Sequence, residues 1–425
     1  MRASSAALVI GVALAACEAP ARRRSIGEQL ELAQTALRAG RLEEARELVA
    51  AARAQDPSHL AAAQWSGFVA DLTWRDQVAV EERMAAIRLA RAGGATEQVA
   101  QLRGELGDQL FRAGRWGESA TPLLAGAVGA QAERRRAFSV VAASLPYVRR
   151  FQGPLLTEQP FVPGETPEFI CGTPGKQRPF AIDTGTSMTT LSSSFAEELG
   201  VRSRQRAGAA LDGAGRSLDV EVGLLPEFRV GSVDIGAAPV LVVADRALVL
   251  RDLHGGAERV PRGVLGLDLI GACRLTIDPE RGGVVLALPQ GLPEGRSVQC
   301  VRVGGRCLAP VEVEGARLWF VLDTGASHSS LTSAGLARIG RGRERAAPTF
   351  RRVRTVGGSV VSVREVRGLV LRCSEARFLQ VTLPIVDRGE TPGFPVHGVL
   401  GIDLLGRCRV TLDRGRVRLA AVEGG

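Results

Sequence analysis

The sequence predicts a multidomain chain, α-helical at its N-terminus and all-β beyond it, with the β part built as two copies of one lobe. Three observations carry this. A stretch rich in Ala, Arg, Glu and Leu runs to about residue 145, with apolar residues at three- and four-residue steps. After it, short Val/Leu runs separated by glycine take over, such as Val240-Leu241-Val242-Val243 and Val284-Val285-Leu286, which is strand texture. Within the β part, one set of motifs occurs twice in the same order.

The repeat is extensive. Phe180-Ala181-Ile182-Asp183-Thr184-Gly185-Thr186-Ser187 returns as Phe320-Val321-Leu322-Asp323-Thr324-Gly325-Ala326-Ser327. Gly263-Val264-Leu265-Gly266-Leu267-Asp268-Leu269 returns as Gly398-Val399-Leu400-Gly401-Ile402-Asp403-Leu404, and Cys273-Arg274-Leu275-Thr276-Ile277-Asp278 as Cys408-Arg409-Val410-Thr411-Leu412-Asp413. The first two motifs are separated by 83 residues (183 to 266) in one copy and 78 (323 to 401) in the other. Such internal self-similarity defines homologous units, here two lobes over residues 166–290 and 297–422, with Pro289 to Pro293 marking their junction.

At the N-terminus, Met1-Arg2 precedes an unbroken small and apolar run from Ala6 to Ala16. The run is shorter than the roughly 20 residues that span a bilayer and suits the core of an export signal. It ends in Leu14-Ala15-Ala16-Cys17, which resembles the lipobox of bacterial lipoproteins and makes residues 1–17 a signal with lipidation at Cys17; the alternative is an ordinary secretory signal cleaved near Ala16. Both place the protein outside the cytoplasm, and the lipobox places it at a bacterial cell envelope, lipid-anchored and facing periplasm or exterior. Residues 25–145 form the helical region. Its segment from Leu37 to Ala45, with Ala52 and Pro57, resembles a tetratricopeptide helix pair, and Leu110 to Ser119 echoes it. Such pairs stack to bury a shared face, and an unrelated bundle is the alternative. A protein partner is the expected role. Residues 146–165, with Pro146, Pro154, Pro160 and Pro163, read as an extended linker.

The chain has 425 residues and a net charge of +9, but the basic residues are scattered and nearly all arginine, Lys176 being the only lysine. That argues against a phosphate-tracking groove, and no nucleic-acid partner is expected. Six cysteines follow Cys17, and in an oxidising compartment an even number suggests disulfides. The repeat suggests the pairs: Cys171 with Cys273 (102 residues apart) matches Cys307 with Cys408 (101 apart), leaving Cys300 with Cys373. No Cys-x-x-Cys occurs, and His59, His254, His328 and His397 form no ligand cluster, so neither a metal nor another cofactor is expected.

The duplicated Asp-Thr-Gly points to acid–base chemistry. The apolar residues before each Asp make a buried strand, so the carboxylate sits on a rigid element. Thr184 and Thr324 can each hydrogen-bond across to its counterpart, while Gly185 and Gly325 permit a tight turn close to the carboxylate. Two carboxylates about 3 Å apart share one proton. One member then activates a water while the other protonates a substrate carbonyl. Thr186, facing Ala326 in the other copy, is placed to donate to Asp183 and favour its ionised form, although a coupled pair titrates jointly. Asp268 and Asp403 are expected to cap or pair at the turn after each glycine, and His328 to be a loop residue. Ser187 and Ser327 stand outside any Gly-x-Ser-x-Gly.

From Phe161 to Val422 the chain resembles the retropepsin-like aspartic proteases of bacterial exported proteins. In that family the catalytic triplet is followed by two apolar residues and a glycine beneath the loop, matched by Val264-Leu265-Gly266 and Val399-Leu400-Gly401. The resemblance implies a bilobal β fold, an active site at the lobe interface, and hairpin flaps, with Gly213-Ala214-Gly215 and Gly357-Gly358 at the tip positions. Tyr147, the only tyrosine, precedes both triplets, so the flap resembles the retroviral type. The implied function is that of an aspartic endopeptidase acting on an extended polypeptide through Asp183 and Asp323. A non-catalytic binding lipoprotein retaining the fold is the alternative.

Overall fold

A computed structural model describes residues 24–146, 156–211, 217–248, 261–340, 350–354, 360–387 and 393–422. The expectations for residues 1–17 with Cys17, for Tyr147 and His254, and for the tips Gly213-Ala214-Gly215 and Gly357-Gly358 fall outside those residues.

Helices come first, as the three- and four-residue steps require: α1 (Ile26–Arg38), α2 (Leu42–Gln55), α3 (Leu60–Leu72), α4 (Asp76–Ala92), α5 (Thr96–Arg112), α6 (Trp116–Ala125) and α7 (Ala132–Ala143). A capping box starts α1: the Ser25 hydroxyl accepts from the Glu28 amide at 3.2 Å, and the Glu28 carboxylate accepts from the Ser25 amide at 2.7 Å. Gly40 and Gly114 close two of the helix turns in the left-handed region, at φ 73° and 74°, where a side chain is strained. Fully buried alanines, among them Ala33, Ala45, Ala52 and Ala62, let the helices approach closely.

The apolar face of these helices is covered by the chain itself. Leu37, Leu42, Val69 and Leu72 share a core with Val303, Leu308, Trp319 and Phe394 of the second lobe. Phe111, Trp116, Phe138 and Val141 join the core of the first. The partner expected on the helical region is therefore not needed to bury its apolar face, which the two lobes occupy.

Each lobe is built on its own sheet, of seven strands in the first and eight in the second. A third sheet, of six strands, joins them. At its centre the two copies of the Cys-Arg-x-Thr motif pair antiparallel, Thr276 opposite Thr411 and Leu275 opposite Leu412. The approximate two-fold symmetry of the sequence thus becomes a physical strand pair holding the lobes together. Arg409 bridges it to Asp278 at 2.6 Å. In each lobe a long hairpin rises from the sheet: Arg202–Leu211 with Ser217–Val230, and Phe350–Arg354 with Val360–Cys373. These stand where the resemblance puts flaps, and α7 packs against the first of them.

The disulfides expected between Cys171 and Cys273, Cys307 and Cys408, and Cys300 and Cys373 are not formed; the structure holds no disulfide among these six, all of which are buried. The near-equal spacings are a coincidence of the repeat, since Cys171 stands 12 residues before Asp183 and Cys307 stands 16 before Asp323, and spacing alone does not bring sulfur atoms into bonding distance. Cys300 instead lies in hydrogen-bond contact with Cys307, and burial pushes the thiols of Cys373 and Cys408 up to about 12. A thiol reacts as its thiolate, so these side chains should resist alkylation in the native protein and label readily in denaturant. Peptide mapping after iodoacetamide treatment checks this; equal labelling in both states contradicts it.

Candidate active site

The two Asp-Thr-Gly loops face each other. Their strands, Lys176–Ile182 and Ala316–Leu322, end side by side at the lobe interface. The Val-Leu-Gly motif explains their rigidity, because it forms the parallel neighbour of each strand that leads into an Asp-Thr-Gly loop. Ile182 lies opposite Leu265 and Leu322 opposite Leu400. The amides of Asp183 and Asp323 donate to Leu265 and Leu400, both at 3.0 Å.

The threonines tie the loops across the two-fold axis. The Thr184 amide donates to the Thr324 hydroxyl at 3.1 Å, and the Thr324 amide to the Thr184 hydroxyl at 3.2 Å. Each hydroxyl donates in turn to the opposite strand, Thr184 to the Leu322 carbonyl at 2.8 Å and Thr324 to that of Ile182 at 2.6 Å. Both threonines are buried, so all four donations are shielded from water and fix the loops relative to one another.

The glycines make room for the carboxylates. A methyl group on Gly185 would stand 2.5 Å from Cγ of Asp323, and one on Gly325 would stand 2.6 Å from Cγ of Asp183. Each carboxyl group therefore lies against the opposite loop, and the two are within hydrogen-bond reach of each other. Gly266 and Gly401 do the same for the loop backbone: a Cβ there would stand 2.4 Å from the Met188 carbonyl carbon and 2.6 Å from the Ala326 oxygen.

The donors to the two acids differ. Asp183 accepts from the Gly185 amide and from the Thr186 hydroxyl, both at 2.7 Å. Asp323 accepts from the Ala326 amide at 2.8 Å, where the alanine offers no hydroxyl. Both donations to Asp183 lower its pKa, but burial and the charge of Asp323 outweigh them and push it up to about 7. The hydroxyl is where the sequence put it, while desolvation and the neighbouring carboxylate are the larger effects on Asp183, and the pair titrates jointly.

Four braces were missed. The Asp268 carboxylate accepts from the amide and hydroxyl of Thr189, at 2.8 and 2.9 Å. Asp403 does the same for Ser329, at 2.8 and 2.6 Å. The two hydroxyls accept in turn from the amides of Gly266 and Gly401, at 3.3 and 2.9 Å. Asp268 and Asp403 therefore do not cap the short helices that contain them, whose N-caps, Gly266 and Gly401, make no side-chain bond. They bind the catalytic loop to the Val-Leu-Gly strand. The signal was legible: Thr189 and Ser329 each stand six positions after a catalytic-loop Asp. His328 is a loop residue, its Nδ1 3.0 Å from the Ser327 hydroxyl. Among the described residues no cluster of three or more His, Cys, Asp or Glu side chains could hold a metal ion.

Residues 170–269 and 309–404 each match the family model described as aspartyl protease, one match per lobe. The fold and this site thus define an aspartyl-protease-like pair of lobes joined to a helical region. The crystal structure of basic 7S globulin from soybean is similar over 63% of this chain and 95% of its own, at 11% identity and a TM-score of 0.37. That likeness is too distant to carry a functional conclusion. No curated protein matches the chain.

Proposed function

We infer that the protein is an aspartic endopeptidase, exported and tethered to a bacterial cell envelope through lipidated Cys17, with Asp183 and Asp323 as its catalytic residues. The observation that carries this is the mutual approach of two half-buried carboxyl groups on loops tied together by four hydrogen bonds through Thr184 and Thr324. In the mechanism this supports, a water between the carboxyls loses a proton to the ionised member as its oxygen attacks the scissile carbonyl carbon. The protonated member delivers its proton to the carbonyl oxygen. The newly protonated member then gives its proton to the leaving amine while the other takes one from a hydroxyl of the tetrahedral intermediate, so that the C–N bond breaks, the product carboxyl forms and the pair is again singly protonated. The hairpins over the lobes suit an extended polypeptide, since an exposed hairpin edge binds a strand through backbone pairing. The export assignment rests on the apolar run from Ala6 to Ala16 and the lipobox.

Incubation with an unfolded polypeptide, followed by N-terminal sequencing of any fragments, tests the assignment. Internal cleavage is the expected result; an intact substrate over a range of acidic to neutral pH leaves the non-catalytic binding reading in its place. The reaction needs one proton on the pair, and the Asp183 carboxyl is raised to about 7 by burial and Asp323. Activity should therefore fall as pH rises past about 7, with the rate profile giving a macroscopic value for the pair. A profile still rising at pH 9 contradicts it.

A further inference from the structure

A cleft of about 610 Å³ opens where the helical region meets both lobes, and the catalytic pair does not line it. It is within the size range of ligand sites, about 300–1,000 Å³. Its lobe-side wall begins at Ser187 and Met188, four and five residues beyond Asp183 on the same catalytic loop, and continues to the turn at Gly304-Gly305 of the second lobe. The two walls touch at one end, where a Cβ on Gly305 would stand 2.6 Å from Ser187.

Four aspartates and four arginines line this cleft, and each aspartate is engaged by a neighbouring side chain. Asp76 is held by Arg302 at 2.6 and 3.2 Å, and Asp71 by Arg112 at 2.7 Å. Asp108 is held by Arg135 at 2.9 Å, and Asp268 is committed to Thr189. Arg134 and Arg414 remain. Both line the cleft, both are exposed, and neither has an ion-pair partner among the described residues. Arg134 lies over the ring of Phe138, 5.3 Å from its centroid. Deeper in, Arg302 stacks on Trp74 at 4.0 Å, and the buried indole nitrogen of Trp74 has no hydrogen-bond partner among the described residues. The site thus presents two guanidinium groups outside any ion pair among the described residues, with Asp108 acting on Arg134 from a distance, and a spare N–H donor beside aromatic rings.

We propose that this cleft is an accessory substrate site that takes an acidic segment of the polypeptide flanking the scissile bond, with Arg134 and Arg414 as its specificity-determining residues. This rests on the endopeptidase reading. The helical region, on this view, supplies part of the substrate-binding surface, and cleavage favours chains with Asp or Glu clustered to one side of the cut.

The test compares one short cleavable peptide with the same peptide extended at either end by an acidic or a basic tail. At low salt an acidic tail at one end should raise kcat/KM about tenfold over the basic tail, equivalent to about 1.4 kcal/mol. The preference should shrink as salt screens it and vanish in the double variant Arg134→Glu, Arg414→Glu, whose kcat/KM on the short peptide stays unchanged. No preference at either end, or one that survives the double variant, overturns the proposal. A second readout needs no turnover: fluorescence anisotropy of an acidic peptide with Asp183→Asn protein, with and without the two arginine reversals. Loss of binding on reversal supports the site, and unchanged binding removes it. Failure of the short peptide to be cleaved counts only against the endopeptidase reading.

Discussion

Asp183→Asn should abolish peptide hydrolysis while leaving the protein folded, with kcat/KM down by at least ~1,000-fold, as expected for removing a paired acid–base group. The amide is isosteric with the carboxyl. Its oxygen still accepts from Gly185 or Thr186, so the grip of Thr184 on Thr324 is untouched. It can neither take a proton from the attacking water nor deliver one to the substrate carbonyl, the transfers the proposed mechanism requires. Asp323→Asn should have the same effect, and the double variant should be little worse than either single one, because groups that act as a unit are not additive. Residual activity within tenfold of wild type in either single variant would sink the assignment.

The same substitution has a second signature that separates lost chemistry from lost structure. The Asp183 carboxyl is raised to about 7 in the folded protein from 3.8. Across that window the folded state holds a proton that the unfolded chain releases, so stability from this group is present below about 4 and is lost as pH rises to 7. His397 works in the opposite direction. Burial and Arg338 hold it down to about 4, so its contribution is lost as pH falls from 6.5 toward 4. Asparagine removes the first effect and leaves the second. The Tm of Asp183→Asn relative to wild type should therefore climb between pH 4 and pH 8, making the inactive variant the more stable protein at the alkaline end. A constant difference across that range would mean that the two carboxyls do not share a buried site.

How much of this was legible depended on whether the signal was local. The catalytic loop was, because Asp-Thr-Gly after an apolar strand encodes its own geometry and the duplication supplies the partner. Gly266 and Gly401 were legible by the same repeat. The upward shift of Asp183 was not, since Thr186 is visible in the sequence whereas the desolvation of the carboxyl and its approach to Asp323 are not. The cysteine pairing failed for a related reason: the repeat relates Cys273 to Cys408 but not Cys171 to Cys307, and whether two sulfurs meet is set by how the strands lie. The packing of α1 to α3 on the second lobe was also invisible, because an amphipathic helix face says that something covers it and not what does.

That packing converges on Trp319. In the first lobe the corresponding position, four residues before the catalytic Asp, is Pro179, so only the second lobe has this contact. The Trp319 indole donates to the Gly40 carbonyl in the α1–α2 turn at 3.0 Å and meets Phe394 edge-on, with centroids 5.1 Å apart. Its backbone is locked to His397, whose neutral Nδ1 accepts from the Trp319 amide at 3.0 Å and whose own amide donates back to the Trp319 carbonyl at 2.8 Å. A single side chain thus ties the helical region to the strand that carries Asp323. Trp319→Ala should cost about 3–5 kcal/mol, the range for deleting a large buried aromatic, and should lower kcat as the Asp323 strand loosens. Trp319→Phe keeps most of the ring volume and loses the bond to Gly40, for a cost nearer 1–3 kcal/mol because that buried carbonyl is left without its donor. Urea unfolding of the three proteins, with peptide turnover measured on each, gives both quantities. A cost below 1 kcal/mol for the alanine variant, or full turnover in it, would mean that the helical region sits on the second lobe without supporting its catalytic strand.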